Sequence, residues 1–470
     1  MPVRCTCATL RYLRHVIISE QVKPYTTPLA GSSDPRGIES EKRELAKIAP
    51  FKGIRYNQSV TGELSKVTSP PYDIISPQDQ VYYHKLHPNN YVRLVLGEDF
   101  ESDCETSNRF TRAKGYLDQW LADGVFKEDS QPAIYIYQQL FERNGEAKTV
   151  RGFTCAVKIH EYEDRVILPH EWTLAKPKSQ LAQLIRQVKA NLDCVYGLYA
   201  DAGGAMDAIM DKAMAGEPIQ EAVDKSGVVN RFWAITDPVE ISKIVDFMSD
   251  KQIAIADGHH RYETALAYRN EVREQSGCSC GCCEQPSDYV MMTIINVYEK
   301  DMTIDPTHRV LGALSAESLA KLDSSLAELF DIKPASKELL LDEMAREGAI
   351  GMYRGGEARI LKPKVDVTSL MTGAEPSRKL ELNVLHQLIL EKHLGIGPEQ
   401  LRNQTHIIYT RDANEAMRLV DSGERQLTFL VNPIPVKSVL DIAAAGDKMP
   451  QKATYFYPKL LSGLVLRKLN

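Results

Sequence analysis

Residues 253 to 265 read Ile-Ala-Ile-Ala-Asp-Gly-His-His-Arg-Tyr-Glu-Thr-Ala, and this segment limits the fold more closely than any other. An apolar, strand-like run from Ile253 to Ala256 stops at Asp257-Gly258. A helical pattern follows, with Tyr262, Ala265 and Leu266 on one face. Gly258 allows a tight turn and close backbone approach by a ligand. A helix that starts there presents unpaired N–H groups and the positive end of its dipole, a favourable place for phosphate. Arg261 adds a planar fork suited to two-point phosphate contact, and His259 and His260 can donate or relay protons near neutral pH. The segment therefore reads as a phosphate-handling turn. The competing reading, a buried His pair capping a helix, is less favourable because two histidines beside an arginine are costly to bury.

The chain around this turn is long enough, at 470 residues, for two or three domains and a large core. Its 43% hydrophobic and 26% charged content is ordinary for a soluble protein, and no apolar stretch approaches a membrane span. A formal charge of −6 argues against a nucleic-acid coat. Nine cysteines without a secretory leader suit a reduced, cytoplasmic setting. Residues 1–45 differ from the rest: Arg4, Arg11, Arg14 and Lys23 face Glu20 alone, before a turn-rich linker. An organelle leader, a misplaced start and a disordered basic tail all fit that composition.

Local signals outline the remainder. Ser76-Pro77-Gln78-Asp79 predicts a helix start, and Asp237-Pro238-Val239-Glu240 another. Tyr91 to Leu96 reads as a short strand. Ala133 to Leu140 and Val150 to Ile159 read as strands joined across Asn144-Gly145. Leu181, Leu184, Ile185, Val188 and Leu192 give a helix over 179–192 with one apolar face. Tyr289 to Val297 is a predominantly apolar run, as a central buried strand would be. If that strand lay beside the one before Asp257, His308 and Arg309 of Pro306-Thr-His-Arg309 would face the same cleft. Residues 46–314 are expected to form the functional region and 315–470 a second α/β lobe packed on it, with helices near 383–393 and 435–445.

Phosphate chemistry needs cations at the transferred group and a carboxylate beside the acceptor hydroxyl. Lys176, Lys178 and Arg186 could add charge beside Arg261, and Glu171 could serve as base or metal ligand. Asp73 follows two prolines on a stiff loop, and Asp257 could hold a metal or orient His259. Each alone could be an ordinary solvated charge. Their joint appearance in loops after apolar strands, where open sheets bind ligands, gives the set its weight. Cys278, Cys280, Cys282 and Cys283 lack the two spaced pairs of a structural zinc site and read as a surface insertion.

The Asp257-Gly-His-His-Arg261 turn resembles the nucleotide-binding turn of the ParB/sulfiredoxin superfamily, most closely that of free serine kinases. The wider chain resembles the family called domain of unknown function 1015. The matching stretches are Ser69 to Ser76, Leu168 to Thr173, Lys176 to Lys178, Asn191 to Tyr199, Asp257 to Ala265, Pro306 to Arg309 and Met449 to Lys459. The resemblance implies a mixed α/β fold with a ParB/sulfiredoxin-like nucleotide-binding core and a C-terminal α/β lobe. It implies a phosphotransferase using ATP or ADP with Mg2+ on a small hydroxylated metabolite such as serine. In that picture Gly258 and Arg261 bind phosphate, His259 or His260 stabilises the transferred group, and Glu171 or Asp73 activates the acceptor. A phosphatase of a small phosphoester and a ParB-like nucleotide switch stay open as alternatives. A sulfiredoxin-like reductase is disfavoured because His259 stands where that chemistry needs cysteine.

Overall fold

The Asn144-Gly145 turn sets the register of the larger sheet. Both residues have positive φ, 54° and 75°, which a two-residue hairpin needs to follow the twist of its strands. The turn joins β1 (Ile134–Arg143) to β2 (Glu146–Lys158), with Arg143 opposite Glu146 and Tyr135 opposite Thr154. The protein is seen here as a computed structural model that describes residues 45–173, 175–277 and 283–470, with the side chains of 175 and 176 excepted. The expected leader, apart from its last residue, and the cysteine run at 278–282 lie outside the described residues.

The sheet continues in chain order with β3 (Ile167–Leu168), β4 (Val195–Tyr199), β5 (Gln220–Val223), β6 (Val229–Ile235), β7 (Ile253–Asp257) and β8 (Tyr289–Asn296). Its spatial order is β3-β7-β4-β8-β2-β1-β6-β5, and Ile48–Ala49 pairs with the far end of β2 as the ninth strand. β3 runs parallel to β7 and β4 parallel to β8, while the other neighbours along this path are antiparallel. All of β8 is buried, as its apolar run predicts. It does not lie beside β7, however, because β4 is inserted between them. Strand period 2 sends Ile253 and Ile255 to one face, where they pack with Tyr262 and Ala265 of the following helix. Ala254 and Ala256 face the opposite core, which also holds Phe456 and Leu460. Each large apolar side chain fully buried in this way contributes about 1.5–3 kcal/mol.

The second sheet is antiparallel throughout. It holds β9 (His308–Leu311), β10 (Phe330–Ala335), β11 (Ile350–Arg354), β12 (Glu357–Pro363), β13 (Ile407–Thr410) and β14 (Leu427–Leu430), in the order β10-β12-β11-β14-β9-β13. The final segment then returns to the first sheet's side of the molecule. Phe456 pairs with Ile304, Ser462 with Ser69, Leu466 with Ile54 and Arg467 with Asn191.

Both expected helix starts form: Ser76 accepts from the Asp79 N–H at 3.1 Å, and Asp237 from Val239 at 2.9 Å. The helix expected over 179–192 is α1 (Ala175–Val188). It stops where Lys189 takes φ 49°, which frees Ala190–Asn191 to pair with Arg467–Lys468. Tyr91 to Leu96 is not a strand: Val92–Val95 is a helical turn. Its β-branched valines suggest a strand, yet burial of Val92, Leu94 and Val95 decides the outcome.

Candidate functional site

The pairing of β7 with β4 shifts register between Ile255 and Asp257. Such irregularities re-aim side chains at a sheet margin. Gly258 follows at φ 88° and starts α2 (His259–Ser276), whose N-terminus has no side-chain cap. A Cβ at Gly258 would sit 2.8 Å from Arg261 Nε, so the arginine packs against the bare glycine. The turn opens into a cleft of about 1530 Å³, larger than the ~300–1,000 Å³ usual for small-molecule pockets. The wall opposite the turn comes from the second sheet and from residues 452–459.

At the turn, one Asp257 oxygen accepts from Arg261 Nη2 at 2.8 Å and the other from Lys459 Nζ at 3.0 Å. Burial alone would push the Asp257 carboxyl up. Lys459 and Arg261 outweigh it and hold the group well below the usual carboxylate range. Arg261 Nη1 donates to the Cys194 carbonyl. Burial disfavours its charge, but Asp257 and then Asp73 keep it firmly protonated. The fork expected to be free for phosphate thus has both terminal nitrogens engaged, and it offers charge more than open donors.

A second arrangement centres on His259, which is 1% exposed. Its Nε2 accepts from the His170 N–H at 3.2 Å, which places its proton on Nδ1. Nδ1 lies 3.2 Å from Glu171 Oε1, off the line of a good hydrogen bond. Burial raises the Glu171 carboxyl, but His259 more than offsets this and holds it at about 2. Glu171 is therefore ionised, with a quarter of its side chain exposed in the cleft. His170 donates from Nδ1 to the Ile255 carbonyl at 2.6 Å and accepts at Nε2 from Thr454 Oγ1 at 2.9 Å. Burial, with His259 adding to it, lowers His170 to about 4 and keeps it neutral. His260 lines the cleft half-buried, and burial lowers its pKa against the pull of Glu171.

The cleft brings together Asp73, Glu171, Asp257, Gly258, His259, His260, Arg261 and His308. Asp73 is exposed at its edge. Other expected residues go elsewhere. Lys178 Nζ bonds Glu263 Oε2 at 2.8 Å, which also accepts from Thr173 at 2.7 Å, tying α1 to α2. Arg186 pairs with Glu271 at 2.8 Å on an exposed face. The Lys176 side chain lies outside the described residues. His308 reaches the cleft from the second sheet, its Nδ1 accepting from Val431 N–H at 3.3 Å. Arg309 does not line the cleft. It is fully buried, donating to the Thr307, Gln451 and Lys452 carbonyls and to His386 Nε2. His386 lies in a widened π-helical stretch, Leu385–Glu391.

Two residues without a role in the sequence reading complete the wall. Lys459 is the second cation on Asp257, and Arg411, after β13, lies 3.8 Å over the Tyr455 ring. Lys459 stood at the end of a motif but carried no recognisable partner, and Arg411 has no motif at all. As for metal, both Asp257 oxygens are held by cations, and no group of three or more His, Cys, Asp or Glu is placed to hold an ion among the described residues.

Known structures resemble the chain loosely. A conserved hypothetical protein from Pyrococcus furiosus aligns with a TM-score of 0.33 and 10% identity over 64% of this chain and 92% of that one. A free serine kinase in complex with AMP gives 0.32 and 11% over 62% and 83%. SbnI with a C-terminal truncation, from Staphylococcus aureus, gives 0.34 and 13% over 66% and 86%. A search of curated proteins finds no match. The family model described as "Protein of unknown function (DUF1015)" matches residues 48–384, and the chain belongs to that family.

Proposed function

We propose that this protein is a nucleotide-dependent phosphotransferase acting on a small hydroxylated metabolite. One observation carries the reading: the uncapped N-terminus of α2 opens into the same cleft as the ionised Glu171 and the cations Arg261 and Lys459. The helix end and the cations suit phosphate. They supply the charge that a loose phosphoryl-transfer transition state requires. A carboxylate held at about 2 is a poor base for a hydroxyl, so Glu171 orients the acceptor and takes its proton late, once the oxygen has become acidic. Neutral His260 donates to a transferring phosphoryl oxygen. The Asp257-Gly-His-His-Arg261 turn, similar to that of free serine kinases, puts serine first among acceptors to assay.

The reverse reaction with a histidine nucleophile is less well supported. His259 Nε2 already accepts the His170 N–H, and Nδ1 faces Glu171. Calorimetric titration with ADP and ATP, with and without Mg2+, tests the proposal, followed by transfer to serine read by phosphorus NMR. Glu171→Gln should bind ADP like the parent and lose about 100-fold or more in transfer rate. Absence of nucleotide binding in every condition sinks the reading.

A further inference from the structure

The cations of the cleft are strung on one continuous line. Arg261 Nη2 lies 2.8 Å from Asp257 Oδ2, and Lys459 Nζ 3.0 Å from Asp257 Oδ1. The same Lys459 nitrogen is 4.4 Å from the centroid of the Tyr455 ring, and the Arg411 guanidinium is 3.8 Å from it. Three cations are thus set along one carboxylate and one aromatic ring. The acids near Arg411 are used elsewhere. Asp412 caps α3 (Ala413–Asp421) through the Asn414 and Glu415 N–H groups at 2.8 and 3.2 Å. Asp305 pairs with Arg143 at 2.5 Å. No carboxylate pairs with Arg411 among the described residues, so its charge is not met by a direct ion pair, whereas Asp257 and Asp73 both act on Lys459 and Arg261.

Tyr455 is a fixed platform. Its carbonyl accepts from the Asp305 N–H at 2.8 Å, and the adjacent Thr454 is tied to the buried His170. A guanidinium laid on such a ring keeps its in-plane N–H groups directed outward, where they can grip an oxyanion at two points. A spaced row of cations suits a chain of phosphates better than a single one.

We propose that Arg411 binds the terminal phosphate of a polyphosphate chain that runs along Lys459 toward the start of α2, with Tyr455 as its positioning residue. The second sheet would then supply the last cation of a site begun by the first. This inference rests on the phosphotransferase reading and can fail separately from it.

The test is calorimetric titration of the full chain with inorganic tripolyphosphate, orthophosphate and ADP, on the parent and on Arg411→Gln and Arg411→Lys. Arg411 is exposed, so these variants should melt like the parent. The parent should bind tripolyphosphate more tightly than orthophosphate. Arg411→Gln should lose at least about tenfold on tripolyphosphate, or ~1.4 kcal/mol, and little on orthophosphate, with the lysine variant in between. Equal tripolyphosphate affinity in Arg411→Gln and the parent overturns the inference and spares the reading. A parent that binds ADP but not tripolyphosphate does the same. Binding of neither overturns both.

Discussion

The chain contains two His-Arg pairs, His260-Arg261 and His308-Arg309, and their surroundings are opposite. The first opens a helix, where successive side chains stand about a third of a turn apart, and both residues line the cleft. The second lies on β9, where alternation sends His308 to the cleft and Arg309 into the core. Arg261 has an acid, and Arg309 has none. Arg309 instead gathers three carbonyls and a ring nitrogen, and so fixes residues 451–452 at the cleft's far lip. The same dipeptide is a cleft-facing pair on one element and, at its arginine, an internal fastener on another.

Replacing the fastener should have the largest effect on stability. Arg309→Met leaves the buried Thr307 carbonyl and His386 Nε2 without this donor, at about 1–3 kcal/mol for each buried unsatisfied group, and also frees the part-buried Gln451 and Lys452 carbonyls. A loss of at least ~3 kcal/mol is expected in urea unfolding. A change below ~1 kcal/mol would mean that Arg309 is not the fastener described. Acid comes next. Burial, with Arg309 adding to it, lowers His308 from 6.5 to about 4. The unfolded chain takes up that proton as pH falls below 6.5, while the folded one resists until about 4. The contribution of His308 is thus complete above 6.5, and about 2 kcal/mol of it is lost between pH 7 and 5. His308→Asn should flatten the pH dependence of unfolding over that span, and His260→Asn, at the half-buried position, should flatten it less. Equal flattening would erase the contrast. The smallest effect is at the turn: Gly258→Ala places a Cβ at positive φ against Arg261 and should cost about 1–2 kcal/mol. No loss would show that the turn relaxes freely.

Much of the first sheet was legible because its signals are local. Asn144-Gly145 forces a hairpin, Ser76 and Asp237 cap helices, and the β7 run ends at a glycine that only a turn needs. The candidate site was legible on its near wall, where Asp257 to Arg261 and Glu171 belong to short motifs. The far wall was not. Whether Arg309 faces the cleft depends on strand phase in a second sheet, and the partner of Asp257 is 202 residues away. Lys178 and Arg186 looked like phosphate ligands because sequence shows charge but not the Glu263 and Glu271 that neutralise it.

That separation of 202 residues also has a duration. During synthesis at ~5–20 residues per second, Asp257 leaves the ribosome about 10–40 s before Lys459 does. Over that interval the carboxylate has Arg261 alone, and His170 lacks the Thr454 hydroxyl. The charges of the cleft can be paired as described only once residue 459 has emerged, and a nascent chain stalled before it would display the turn with Asp257 held by Arg261 alone.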